Sequence, residues 1–305
     1  MKRPVALVLF FAILGVSLGA LYWTQRRAKS TPSSANAVVD MIADAQRDVT
    51  RVPMRFTRLS DEQEIAIGRG LAVNYSGIEG RLSPEQEALR KYVQSVGGRV
   101  AARAHRKLPY EFHLLPDHNF INAFALPGGP VYIGEGMLDQ METEDELANV
   151  LGHEVEHIDH YHCVERYQLQ AKLKKIDLEV VGQLLQLPLN VWEAGYHKDE
   201  EFEADREGMQ LAVAAGYSPY GAVTLFERLA KLSNEYVIHA QTPEQELSEL
   251  AIQSLEGYFR SHPQPSERLA QAQQVIAHEN WEDRTKQKTF HVEYEVHATS
   301  PIVNF

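Results

Sequence analysis

The sequence predicts an α+β fold, mainly helical, with a small β-sheet or hairpin at its edge. Three observations carry this: a capped, apolar-striped helix over residues 143–158, a set of Ser-Pro and Thr-Pro helix starts, and two short extended segments around a Pro-Gly-Gly-Pro breaker at 127–130. From the N-terminus, Lys2 and Arg3 precede Val5 to Trp23, nineteen residues without a charge, enough to cross a bilayer or to serve as an export signal. Ser17 and Gly19 place small residues at a processing position, while Tyr22 and Trp23 match interfacial anchors and favour a retained helix. Arg26, Arg27 and Lys29 follow the span and on charge alone oppose export of what comes next. Ala28 to Ala37 is a polar tether with no apolar pattern. The partition expected is a signal peptide or membrane anchor over 1–30, a linker and N-terminal helix over 31–58, one catalytic domain over 59–280, and a C-terminal tail over 281–305.

Ser83-Pro84-Glu85-Gln86, Ser218-Pro219 and Thr242-Pro243-Glu244-Gln245 each supply an N-cap followed by proline at the first helical position. Ile121 to Ile133 holds two extended segments joined by Pro127-Gly128-Gly129-Pro130, and the prolines favour an edge strand. An exposed edge at Asn122, Ala123, Phe124 and Ala125 can pair with an extended peptide through its backbone, so these four are the candidate substrate-binding residues. Thr143 and Glu146 form a T-x-x-E capping box, Glu144 and Asp145 suit the positive end of a helix, and Leu147, Leu151, Val155 and Ile158 make its apolar stripe. Cys163 is read as a packing residue on the same helix, and Arg166 to Leu187 as a long helix ended before Pro188. Asp199 to Ala215 forms another amphipathic helix stopped by Gly216. In the tail, Phe290, Val292, Tyr294 and Val296 alternate as a strand.

The chemistry lies in His153-Glu154-Val155-Glu156-His157. Positions i and i+4 of a helix share a face, so both imidazoles can point at one metal ion, with Glu154 beside the position where a water would be activated. This is the arrangement of a hydrolytic zinc site, with Glu154 as general base. A catalytic zinc normally takes a third protein ligand. Glu201 in Asp199-Glu200-Glu201-Phe202-Glu203-Ala204-Asp205 is the best source, and Asp205, four residues on, can hydrogen-bond the second nitrogen of a ligating histidine. An acidic helix start is by itself only a dipole-stabilising feature; the pairing with the histidines gives it meaning. His262, before Pro263, is a further candidate, as a donor to the developing oxyanion. The net charge of −12 argues against nucleic-acid partners, and the single Cys163 excludes an internal disulfide.

The motifs together resemble metallopeptidase family forty-eight, which includes the HtpX-type heat-shock proteases, the CaaX prenyl proteases and the periplasmic BepA-like proteases. The matching segments run in order over about residues 59 to 275: Leu59-Ser60-Asp61-Glu62-Gln63-Glu64 with Gly68, Asn122 to Gly129, Leu151 to His157, Glu201 to Asp205, Ala215-Gly216-Tyr217-Ser218-Pro219, and Ser261-His262-Pro263 with Glu267-Arg268. The resemblance implies a zincin-like (gluzincin) domain, one Zn2+ on His153, His157 and Glu201, and catalysis by Glu154. It also implies, for the His262 loop, a second role as a fourth, self-inhibitory zinc ligand. With one long apolar segment, the chain is most similar to the exported branch, which implies a cell-envelope or periplasmic location, membrane attachment through the N-terminal segment, and unfolded or misassembled proteins as substrates. Glu156, where many members carry a small residue, and Tyr161, where many carry arginine, depart from the pattern. The competing readings are a zinc-stabilised chaperone-like or binding module and a non-peptidase zinc hydrolase. Against the first stands Glu154, since a structural zinc has no use for an unligated carboxylate beside it.

Overall fold

Ser60 and Gln63 open the first helix by a reciprocal exchange: the Gln63 N–H donates to Ser60 Oγ at 3.3 Å and the Ser60 N–H to Gln63 Oε1 at 2.9 Å. In this computed structural model, residues 59–79, 82–173, 196–235 and 262–284 are described, and they belong to a unit that begins at Leu59. Helix α1 spans Asp61–Glu79. Helix α2 spans Pro84–Ala101 and starts with the expected capping box of Ser83 and Gln86, with Pro84 in its first turn.

Three strands follow: β1 (Glu111–Leu115), β2 (Ala123–Ala125) and β3 (Pro130–Gly134). Their order is β1-β3-β2, with β1 parallel and β2 antiparallel to β3. The expected hairpin is the β2–β3 pair, and its turn needs Gly128 at φ 76° and Gly129 at φ 139°, conformations that side chains resist. Pro130 stands on the central strand and not on an edge. It is tolerated there as the first residue, because the Glu111 N–H bonds to Gly129 O (3.2 Å), just outside the strand. The edge is β2 itself. The turn is fastened by Glu64, a buried carboxylate that accepts the Gly128 N–H at 3.0 Å and pairs with Arg106 at 2.6 Å, which gives the Leu59 to Gly68 segment its structural role.

After the single turn α3 (Glu135–Leu138) comes α4, Glu144–Asp159. Thr143 and Glu146 form the expected capping box, and the stripe Leu147, Leu151, Val155 and Ile158 is wholly buried. α4 lies at the centre of the core, packed against α2, β2 and two later helices, α6 (Lys198–Ala214) and α7 (Tyr220–Glu235). It ends at His160 and Tyr161, the latter at φ 66°. Cys163 therefore lies on the next helix, α5 (His162–Leu173), and not on the helix of the pentad; the long helix begins at His162 and not at Arg166. Cys163 is fully buried in the core, as a packing residue should be. α6 stops as expected: Gly216 takes φ 94°, and the N–H groups of Gly216 and Tyr217 close back on Val213 and Ala212. α7 starts after Pro219, with Ser218 Oγ accepting the Tyr220 N–H at 3.2 Å. The last described helix, α8, spans Pro265–His278.

α4 and α6 cross backbone to backbone. A Cβ on Gly152 would lie 2.5 Å from the Gly208 carbonyl oxygen, and one on Gly208 would lie 2.5 Å from the His153 nitrogen. The two glycines thus let the helix that carries His153 and His157 lie directly on the helix that carries Glu201 and Asp205. The span Val5 to Trp23, the helix start at Thr242, the continuation of α5 to Leu187 and the strand from Phe290 to Val296 lie outside the described residues. Among the described residues, no helix is long and apolar enough to cross a membrane.

Candidate metal centre

His153 and His157, one turn apart on the buried face of α4, bring their Nε2 atoms to 3.0 Å from each other. Each Nε2 lies 3.5 Å from a Glu201 carboxylate oxygen, His153 from Oε2 and His157 from Oε1. Glu201 sits in the first turn of α6 and is completely buried. The three side chains expected as ligands from the sequence converge on one point.

The other ring nitrogens decide what faces that point. His153 Nδ1 lies 2.8 Å from Asp205 Oδ1, so its proton goes to the carboxylate and the Nε2 lone pair faces inward. Asp205 occupies the position expected of it, and is held ionised: burial would raise its carboxyl, but Arg268 and His153 bring it down to about 2. His157 Nδ1 meets His162 Nδ1 at 3.0 Å, and the tautomer in which His157 donates again turns a lone pair inward. Burial holds the His157 imidazole well below its usual range and so neutral. Burial would also raise Glu201, but the His262 and His157 contacts hold it well below the usual carboxylate range. Glu201 Oε1 is buried and, among the described residues, has no hydrogen-bond donor. Two ring nitrogens and an ionised carboxylate facing one another in a buried site is a costly arrangement unless a cation joins them. Separations of 3.0 to 3.5 Å also match the edges of a tetrahedron with metal–ligand bonds of about 2.0–2.2 Å. The donor set fits a divalent metal ion.

Glu154 is buried beside this cluster, its carboxylate within 4.8 Å of donor atoms of both His153 and His262. Burial pushes its carboxyl up to about 7. His262 reaches the cluster from the segment before α8, and its Nδ1 lies 2.7 Å from Glu201 Oε2. Its ring therefore touches the carboxylate of the triad, and burial lowers its pKa.

The candidate substrate strand is only partly open. Asn122, Phe124 and Leu126 carry the ladder to β3, which turns the backbone of Ala123 and Ala125 to the outer edge. The Ala123 N–H is taken by the Asn122 Oδ1 (2.9 Å), and Ala125 O receives the Cys163 Sγ at 3.7 Å. Ala123 lines the same cavity as His153, Glu154, His262 and Arg268.

Three residues near the site carry roles that sequence reasoning did not assign. Arg268 on α8 clamps Asp205 with two hydrogen bonds, 2.9 Å from Nε and 2.5 Å from a terminal nitrogen, and its guanidinium lies 4.4 Å from the Phe226 ring centroid. His162 backs His157, and Tyr196 stacks on the His157 ring at 3.8 Å between centroids. For Arg268 the signal was the Glu267-Arg268 pair; for Tyr196 there was none. Arg268 and Asp205 are both buried, so Arg268→Ala leaves an uncompensated carboxylate. The expected loss is about 3–5 kcal/mol of stability, read by urea denaturation.

Comparison with known proteins bears on what this cluster does. Residues 87–276 match peptidase family M48. The beta-barrel assembly-enhancing protease of Yersinia pestis is 29% identical over 203 residues, 60% of this chain and 38% of that protein. The mitochondrial metalloendopeptidase OMA1 of Schizosaccharomyces pombe is 34% identical over 157 residues, 49% of this chain and 46% of its own length. The metalloprotease LoiP of Escherichia coli is 31% identical over 134 residues, 40% and 52% of the two chains. The chain thus spans between 38% and 52% of the length of these curated relatives. With well over half of its length matched, α4 and α6 and their converging donors included, the chain belongs to peptidase family M48.

Proposed function

We propose that this chain is a zinc-dependent endopeptidase of gluzincin type, with residues 59–280 as its catalytic domain. His153, His157 and Glu201 would hold the ion. The observation that carries this reading is the buried triangle of two imidazole lone pairs and one ionised carboxylate. A zinc ion there supplies a Lewis acid and lowers the pKa of water toward neutrality. Glu154 is the general base: it takes the proton from the attacking water and delivers it to the leaving amine, and a carboxyl raised toward 7 by burial suits both transfers. Asp205, itself held by Arg268, fixes the His153 tautomer. His262 orients Glu201 through its Nδ1 and leaves its other nitrogen to serve the oxyanion. The outer edge of β2, over Asn122, Ala123, Phe124 and Ala125, would receive an extended peptide backbone. Main-chain pairing of this kind selects for unfolded segments over side-chain identity, which supports unfolded or misassembled proteins as substrates.

The names of the relatives support an envelope or membrane-associated setting, with residues 1–30 as anchor or export signal, residues 31–58 as a linker and residues 281–305 as an appended tail. The test is metal analysis together with cleavage of an unfolded protein. Glu201→Gln is expected to lower the affinity of the catalytic ion at least tenfold and to abolish cleavage at limiting zinc, with recovery at high zinc. Unchanged zinc affinity in this variant would refute the assignment.

A further inference from the structure

One turn past His157, a second set of donors gathers where α4 leaves the site. His160 Nε2 lies 2.7 Å from Glu207 Oε2 on α6 and 3.2 Å from Glu156 Oε2 on its own helix. The ligand atoms of Glu156, His160 and Glu207 all fall within 4.8 Å of one another. Acidic groups around an exposed histidine would mean little, but Glu156 is not of that kind. It is wholly buried, and among the described residues neither of its oxygens finds a hydrogen-bond donor. Its ion-pair contact is the His160 imidazole, which it meets off the hydrogen-bond direction. A buried carboxylate with no hydrogen-bond donor, aimed at an imidazole and a second carboxylate, calls for a cation.

We infer that Glu156, His160 and Glu207 form a second divalent transition-metal site, separate from the triad of His153, His157 and Glu201. One imidazole and two carboxylates are borderline-to-hard donors, which suits zinc and its first-row neighbours and not a soft monovalent ion. Glu207 already divides its oxygens: Oε1 pairs with Arg206 at 2.7 Å and Oε2 faces His160. The Arg206 contact thus leaves one oxygen for the ion. On the other side of the ring, Glu203 Oε2 lies 3.9 Å from His160 Nδ1 and 3.4 Å from His162 Nε2. A carboxylate there can take the second ring proton through a water, the part that Asp205 plays directly for His153. The Glu156 and Glu207 carboxylates beside it raise His160 to about 9. The field that retains a proton at that nitrogen is the field that attracts a cation.

The experiment is equilibrium dialysis of the full chain in detergent against buffered Zn2+, with metal and protein counted. The wild type is expected to bind two ions, Glu201→Gln to lose the catalytic one, and His160→Ala/Glu207→Ala to lose the other while cleaving an unfolded protein as the wild type does. Glu207→Ala alone, at a partly exposed position, is expected to weaken the second ion at least tenfold while the variant still melts cooperatively in chelator. A wild type that binds one ion, lost in Glu201→Gln and kept in the double variant, would overturn the second site and leave the proposed catalytic centre intact. Two ions retained in the double variant would also overturn it. An ion retained in Glu201→Gln and lost in the double variant would support the second site and count against the catalytic assignment.

Discussion

Glu154→Gln is expected to lower kcat/KM for an unfolded protein by about 10²–10⁴-fold while zinc content and melting temperature stay as in the wild type. Glutamine keeps the shape and burial of the side chain and removes only its capacity to carry a proton. Glu154 is outside the triangle of ligand atoms, on the side of His153 and His262, so its loss leaves the metal donors in place. The pH profile gives a second reading. A base must be ionised to work, so activity falls as pH drops through the Glu154 pKa. Burial raises that value to about 7, and a bound cation beside it lowers it, which places the acidic limb below neutrality. The residual activity of Glu154→Gln should not show this limb. A variant that retained full activity would remove Glu154 from the mechanism.

The second large effect concerns the helix crossing. Replacing glycine by alanine inside a helix ordinarily stabilises by about 1 kcal/mol. Gly208→Ala should do the opposite, because its Cβ would fall 2.5 Å from the His153 nitrogen and 2.7 Å from the Gly152 carbonyl carbon, both backbone atoms that cannot swing away. Overpacking of this kind costs about 1–3 kcal/mol or more, and here it also pushes Glu201 away from His153 and His157. Lower stability and weaker zinc binding are therefore expected together. Gly98→Ala is the control: in α2 the nearest neighbour of its Cβ is a glutamine side-chain nitrogen at 3.8 Å, so the ordinary gain should appear. Equal behaviour of the two variants would mean that the crossing does not set the site.

How much of this was legible in the sequence depended on range. The helix of His153 and His157 could be read because its signals are local: a capping box four residues long, an apolar stripe, and two histidines at i and i+4. Glu201 and Asp205 could be read only as partners of those histidines, since an acidic helix start is common. The β2–β3 hairpin followed from its glycines and prolines, but β1 did not, because its pairing with β3 is parallel and depends on chain far from it. Periodicity also missed the break at Tyr161, where a left-handed residue ends α4 and turns His162 back onto His157. The role of Arg268 was also hidden. An arginine in the first turn of a helix looks like surface charge until Asp205, 63 residues earlier, and Phe226 enclose it. Glu156 looked like a departure from a pattern, and its burial with no hydrogen-bond partner among the described residues gives it a meaning that no spacing rule conveys.

The most direct measurement is a crystal structure of the zinc-loaded protein with anomalous data collected at the zinc edge. The account predicts a peak in contact with His153 Nε2, His157 Nε2 and a Glu201 oxygen, with the Glu154 carboxylate facing the remaining side. Density showing no ion among those three side chains, or Glu201 turned away from the two imidazoles, would contradict it.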